Sequence, residues 1–277
     1  MAMKIIKFAL EEDLSVEGDI TSRSTIPAGK QAKAVLIAKQ MPAVIAGLAI
    51  AELVFKTVDP AIKFTALIKD GAAIEHTPVN IATISGPAIS VLTAERTALN
   101  LIQRMSGIAT HTAVYADKAR AVGVAVLDTR KTVPGLRVLD KFAVRLGGGT
   151  NHRFGLYDQV LIKDNHIACA GGITQAVENA RKLYSDKKIE VETTNLQEVE
   201  EALTAKADII MLDNMTPQQV SQCVDVIQKR AFVEVSGGIT LETFEKYLLP
   251  GVDAISIGAL THSVKAVDIS LEVEIEQ

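Results

Sequence analysis

The sequence predicts an α/β protein in two parts, a parallel-stranded α/β domain of the barrel kind preceded by a separate α+β domain. Three observations carry this reading. From about Val124 onward, short β-branched runs alternate with helical patterns. Each of those runs ends in a polar residue or a glycine. The first ~90 residues lack the rhythm altogether.

Along the chain, "KAVLIAK", "IKFTALI" and "VNIATIS" read as strands of the first domain, and "AIAELVFKTV" has helical spacing. Residues 77–94 carry no formal charge over 18 residues, the length of a membrane span. Pro78, Asn80, Gly86 and Pro87 interrupt them, so two short strands and a turn are expected instead. "SVLTAERTALNLIQRMSGIATHTAVYADKARA" is mostly helical and bridges the two parts, with a break expected at Gly107. The six strands of the second part are "VAVLDT", "DQVLIKD", "IEVETT", "DIIMLDN", "FVEVSGG" and "DAISIGA". Between them, "NLQEVEEALTAKA" places Leu196, Val199 and Leu203 at helical spacing, and "TPQQVSQCVDVIQK" does so with Val220, Val224 and Ile227.

Composition narrows the function. A chain of 277 residues can bury a substantial core without disulfides, and its two cysteines, Cys169 and Cys223, read as inert thiols of a reducing, cytoplasmic protein. No zinc site is expected. The opening "MAMKIIKFALEEDLSVEGD" turns acidic early and offers no apolar export segment. Twenty-nine basic against 33 acidic residues give a net charge of −4, which argues against broad nucleic-acid binding. The absence of tryptophan argues against base-stacking platforms.

In (β/α) barrels the C-terminal strand ends form one rim, where active sites are built. Here those ends carry Asp128 with Arg130 and Lys131, Lys163 with Asp164, Glu192, Asp213, Ser236 with Gly237 and Gly238, and Gly258. Residues 128–166 hold seven Lys or Arg against four Asp in a chain that is acidic overall. Arg137, Lys141 and Arg145 fall on a helix, and a solvated face accounts for them as well as a site does. Arg130, Lys131, His152, Arg153 and Lys163 fall at turns and strand ends. Placing such cations together makes sense if an anion with several oxygens binds between them, because charge-assisted bonds then offset the repulsion. "VSGGI" and "SIGALTHS" run from strands into glycines at expected helix starts, a common phosphate site. Glu192 and Asp213 supply the negative side of the rim, suited to Mg²⁺ or to ribose hydroxyls. Glu190, Glu192 and Thr194 are expected on one strand face, and a structural salt bridge accounts for Glu190.

These blocks, "LTAERTALNLIQRMSGIAT", "DTRKTVPGLR", "GGGTNHRFGLYDQVLIKDNHI", "IEVET", "DIIMLDN", "VSGGI" and "SIGALTHS", closely resemble the quinolinate phosphoribosyltransferase family, in order and over nearly the whole chain. The resemblance implies an incomplete TIM-like α/β barrel at residues 107–264 and an N-terminal α+β sandwich at residues 1–106, on which the tail of residues 265–277 packs. It implies conversion of quinolinate and phosphoribosyl pyrophosphate to nicotinate mononucleotide, CO₂ and pyrophosphate, with Mg²⁺, in a homodimer or higher assembly with shared active sites. By motif, Arg130, His152 and Arg153 would bind quinolinate carboxylates, with Arg96 reaching in from the partner chain. Lys131 and Lys163 would lie near the reacting groups. Glu192 and Asp213 would contact ribose or Mg²⁺, and Ser236, Gly237, Gly238, Gly258 and His262 would surround a phosphate. Thr194 stands where the family usually has another carboxylate, which implies weaker metal binding if that acid assists. Three rivals remain at this stage: the related protein encoded beside molybdate transporters, against which "KDNHI" speaks, a Schiff-base aldolase using Lys163, and a non-catalytic anion-binding module.

Overall fold

The computed structural model describes residues 1–274. In chain order they form α1 (Ala2–Leu14), α2 (Ile20–Thr25), β1 (Gln31–Ala38), β2 (Ala43–Val44), α3 (Leu48–Val58), β3 (Lys63–Ala66), β4 (Ala73–Ile74), β5 (Val79–Pro87) and α4 (Ala88–Arg120). Then follow β6 (Ala125–Leu127), α5 (Arg137–Leu146), β7 (Val160–Ile162), α6 (Asp164–Ala170), α7 (Ile173–Leu183), β8 (Ile189–Thr193), α8 (Leu196–Thr204) and β9 (Ile209–Asp213). The chain ends with α9 (Pro217–Ile227), β10 (Phe232–Ser236), α10 (Leu241–Phe244), β11 (Ala254–Ser256), α11 (Ala259–His262) and β12 (Ile269–Glu274). None of these helices is long and apolar enough to cross a membrane. Two compact units result. Unit 1 takes Met1–Ala113, Thr132–Gly148 and the chain from Leu260 on, and unit 2 takes Val114–Lys131 and Gly149–Ala259.

Unit 1 is built on an antiparallel sheet in the order β12-β1-β5-β3. Strand β1 alternates, burying Ala32, Ala34, Leu36 and Ala38 on one face, as the period of two requires. Helix α3 adds Val54 and Phe55 to the core. The tail contributes β12, in register with β1 from Lys33 opposite Glu274 to Ala38 opposite Ile269; residues 275–277 lie outside the described residues.

Three expectations for this part are corrected. Residues 77–94 form one strand, β5, that passes directly into α4, with Pro87 tolerated because it closes the strand. Helix α4 runs unbroken through Gly107. A Cβ at Gly107 would stand 2.2 Å from the Lys265 carbonyl oxygen, so this glycine serves a close backbone approach and not a break. Helix α5 belongs to unit 1, and Lys141 on it is buried, against the reading of a solvated face. Its neighbour Asp140 is equally buried and takes a two-point bond from Arg104, at 2.9 and 2.8 Å.

Unit 2 carries the six expected strands in one parallel sheet, ordered β6-β11-β10-β9-β8-β7. Buried on both faces, the strands read as near-continuous apolar runs, such as Ile210, Met211 and Leu212 in β9. The helices between them are capped: Asn195 caps α8 through the Glu198 amide, and Thr216 with Gln219 forms a capping box ahead of Pro217 in α9. The buried stripes are Val199 with Ala202 and Val220 with Cys223 and Ile227. Leu196, expected in the first stripe, is exposed. Strands β6 and β7 are the two ends of the sheet and do not pair. Beside β6, Thr150 bridges Leu127. Asp128, expected on the rim, is instead fully buried and pins the following segment, accepting from the His152 backbone amide at 3.0 Å and from Asn151 Nδ2 at 2.5 Å.

Candidate active site

At the C-terminal strand ends of unit 2 lies a cavity of about 510 Å³, a size typical of small-molecule sites. Arg130, Lys131, His152, Arg153 and Lys163 line it. So do Glu192, Asp213, Ser236, Gly237 and Gly238, with the apolar Leu161 and Met211. Ten of the residues singled out from the sequence therefore meet in one place. Arg96, Gly258 and His262 are not in its lining; Arg96 and His262 belong to unit 1.

The cations differ in how they are held. Arg130 is half-buried, and its Nε has no hydrogen-bond partner among the described residues. Burial lowers the proton affinity of Arg153, and the charge of Arg130 lowers it further, opposed by Glu190 and Asp158. Lys163 closes β7, and its ammonium is paired with Glu192 on the adjacent strand β8. Asp213 accepts from Asn214 Nδ2 at 2.6 Å. Asn214 has a positive φ of 55° and its amide bonds the Ser236 carbonyl at 2.9 Å, tying β9 to β10 at the rim. This contact is why position 237 is glycine: its φ is +92°, and a Cβ there would lie 2.3 Å from Asn214 Oδ1. Gly237 and Gly238 precede α10 by a further two residues, with Thr240 as the cap, so the pair forms a loop and not a helix start. Thr194 lies beyond β8 rather than on its face, and both its amide and hydroxyl donate to Glu198 Oε2, at 2.7 and 3.0 Å.

The segment pinned by Asp128 delivers His152, which lines the cavity, to two buried carboxylates. Its Nε2 lies 3.2 Å from Glu190 and 3.5 Å from Glu234, both carboxylates being almost entirely buried. Its Nδ1 accepts the Arg153 backbone amide at 2.6 Å. Among the described residues these three side chains are spaced as a metal site would be. A metal on Nε2, however, requires a hydrogen on Nδ1, and the Arg153 amide already occupies that position. The group is therefore a proton-holding cluster. Burial works against a charged ring, but hydrogen bonds and charge from Glu190 and Glu234 outweigh it and raise the affinity for the proton to about 10. Burial and the Glu234 charge raise the proton affinity of Glu190, against the opposing pull of His152 and Arg153.

Several lining residues escape sequence reading: Thr129, Asn214 and Ser256. Ser256 ends β11 at the position Ser236 occupies in β10, and its hydroxyl is buried without a partner among the described residues. Its strand-end position was the available signal, which the nearby Gly258 obscured.

Residues 108–272 match the model of the quinolinate phosphoribosyl transferase C-terminal domain, and residues 19–106 match that of its N-terminal domain. The chain belongs to the quinolinate phosphoribosyltransferase family. It is 44% identical over 291 residues to a chloroplastic carboxylating nicotinate-nucleotide pyrophosphorylase of Arabidopsis thaliana, covering 98% of this chain and 82% of the relative. It is 45% identical over 282 residues to a probable carboxylating nicotinate-nucleotide pyrophosphorylase of Methanocaldococcus jannaschii, covering 98% and 97%. The solved nicotinate-nucleotide pyrophosphorylase of Francisella tularensis superposes with a TM-score of 0.93 at 41% identity, covering 99% of this chain and 96% of that one. Every residue lining the cavity falls within the match to the family's C-terminal domain.

The clustered proton has a pH signature. The folded state holds it up to about pH 10, whereas the unfolded chain releases it near 6.5. The stabilisation is thus complete below about pH 6.5 and fades as pH rises toward 10. The stability difference between the protein and His152→Asn, measured by chemical denaturation, is expected to shrink over that interval. The His152 ring signals in ¹⁵N NMR should stay flat between about pH 6 and pH 8.5, and titration near 6.5 would contradict the cluster.

Proposed function

We propose that the unit 2 cavity is the active site for the family's reaction, with its residues in the roles given below. The activity is that of a carboxylating nicotinate-nucleotide pyrophosphorylase, a pentosyltransferase of NAD biosynthesis. Quinolinate and phosphoribosyl pyrophosphate yield nicotinate mononucleotide, CO₂ and pyrophosphate. Family membership removes the aldolase, the transporter-associated protein and the non-catalytic module as readings of the chain. One observation carries the site assignment: four Lys and Arg side chains share a single cavity with Glu192 and Asp213.

Quinolinate bears two adjacent carboxylates, and the second substrate bears a phosphate and a pyrophosphate. Bringing them together in water is opposed by charge, and the cationic wall reverses that opposition. Arg130 and Arg153 bind the two carboxylates, and the unpartnered Arg130 Nε suits such a ligand. His152 acts alongside them by holding Arg153, whose backbone amide its Nδ1 accepts, since its ring nitrogens are both engaged within the protein. Ser236, Gly237 and Gly238 hold phosphate oxygens, whereas Gly258 and His262, to which the family resemblance gave the same role, lie outside the cavity lining. The pyridine nitrogen forms its bond to the ribose carbon as the bond to pyrophosphate breaks, and Lys163 supports the leaving oxygens while Glu192 and Asp213 face the positive ribose carbon. The substituted nitrogen is then cationic and accepts the electron pair released when the adjacent carboxylate leaves as CO₂. Lys131 delivers the proton that replaces it. The donor set fits Mg²⁺, since Glu192 and Asp213 end neighbouring strands and offer hard oxygen ligands with room for water and phosphate oxygens. When bound, the ion would offset charge on pyrophosphate. The two free cysteines fit a cytoplasmic protein.

We further propose a homodimer in which Arg96 of one chain serves the cavity of the other, a reading that rests on the family resemblance. Mixing Arg96→Ala with Lys163→Ala chains tests it: with exchange confirmed by pulling down a tagged chain, a shared site restores one intact site per heterodimer and activity returns. Heterodimers that stay inactive would reject it.

Assay of the purified protein with both substrates is expected to release pyrophosphate and CO₂ in equal amounts. Lys163→Ala should reduce kcat by about a hundredfold or more without unfolding the protein. A near-normal rate in a folded variant would remove Lys163 from the site.

A further inference from the structure

Glu190 has no place in the chemistry above, is completely buried, and lies outside the cavity lining. Its hydrogen bonds nevertheless converge on one substrate ligand. Its carboxylate faces His152 Nε2 at 3.2 Å and accepts from Gln159 Nε2 at 2.6 Å. Each of those two residues in turn holds Arg153. His152 Nδ1 accepts the Arg153 backbone amide at 2.6 Å, and the Gln159 carbonyl accepts from Arg153 Nη1 at 3.2 Å. Arg153 is thus gripped at its main chain and at its guanidinium by two residues that both end on the same carboxylate.

Such a grip is needed. Arg153 stands close enough to Arg130 for the two charges to disfavour one another. An arginine left to its own rotamers would turn away from a like charge into solvent. Glu190 opposes this twice, through its charge and through the two hydrogen-bonded arms. Glu234 completes the floor at 3.5 Å from His152 Nε2.

We propose that Glu190 is a positioning residue, which holds Arg153 beside Arg130 through His152 and Gln159 and thereby sets the affinity of the cavity for the dicarboxylate substrate. The proposal rests on the reading of Arg153 as a ligand of a quinolinate carboxylate. It assigns Glu190 no contact with substrate.

The test compares Glu190→Gln, Arg153→Ala and the double variant in steady-state kinetics with both substrates, and in calorimetric binding of quinolinate alone. Loss of a charge-assisted bond in the grip is expected to raise KM for quinolinate on the order of tenfold in Glu190→Gln. The KM for phosphoribosyl pyrophosphate and kcat should stay within about threefold. The double variant should be no worse than Arg153→Ala, since Glu190 acts through that residue. A folded Glu190→Gln whose quinolinate affinity is unchanged would overturn the proposal. So would equal rises in both KM values, or a double variant whose loss is the product of the two single losses. If Glu190→Gln does not fold, Gln159→Met cuts the link from Glu190 to Gln159, keeping the main-chain carbonyl that Arg153 bonds and leaving the buried charge paired with His152, and an unchanged quinolinate KM there would equally overturn it. Failure of the unaltered protein to turn over quinolinate would instead count against the functional reading, and the binding measurement keeps the two failures apart.

Discussion

Two buried carboxylates, Glu190 and Glu234, face one histidine inside the α/β unit, and the cationic wall above depends on them. Arg130, Lys131, Arg153 and Lys163 share one cavity, and so many like charges are stable together only against nearby counter-charge. The rim supplies part of it, through Glu192 paired with Lys163. The interior supplies the rest, in a low-dielectric setting where each charge counts for more. Function thus rests on acids that no substrate touches.

The open sheet makes this arrangement possible. Strands β6 and β7 end the sheet without pairing, and the chain beside β6 enters the interior, where Asp128 pins it. A closed eight-stranded barrel would fill that interior with side chains from its own strands. Here the loop-borne His152 takes the place, bonded to strands β8 and β10 from within. The incomplete fold and the charge layout are two aspects of one constraint.

The six parallel strands were legible because β-branched runs, helical intervals and polar strand ends all point the same way. Ten site residues were legible for a related reason, each visible locally at a strand end or, for His152 and Arg153, in a turn ahead of one. What escaped was set by partners distant in sequence. Gly107 looks like a helix break until Lys265 is seen against it. Lys141 looks like surface on an amphipathic helix, yet the helix buries that face. Glu190 reads as an ordinary salt bridge, because nothing local reveals that His152 and Gln159 both lead from it to Arg153. Asn214 was hidden by its neighbour Asp213, and its place became visible only through the bond to Ser236 and the cramped glycine beside it.

The central claim is that the dicarboxylate binds between Arg130 and Arg153 above an undisturbed Glu190 cluster. A crystal structure of the protein with quinolinate bound tests it most directly. The account predicts one carboxylate on each arginine, with His152 still bonded to Glu190 and with Arg153 still held by the Gln159 carbonyl. Quinolinate seated elsewhere on the molecule, or an Arg153 released from that grip when the ligand binds, would contradict it.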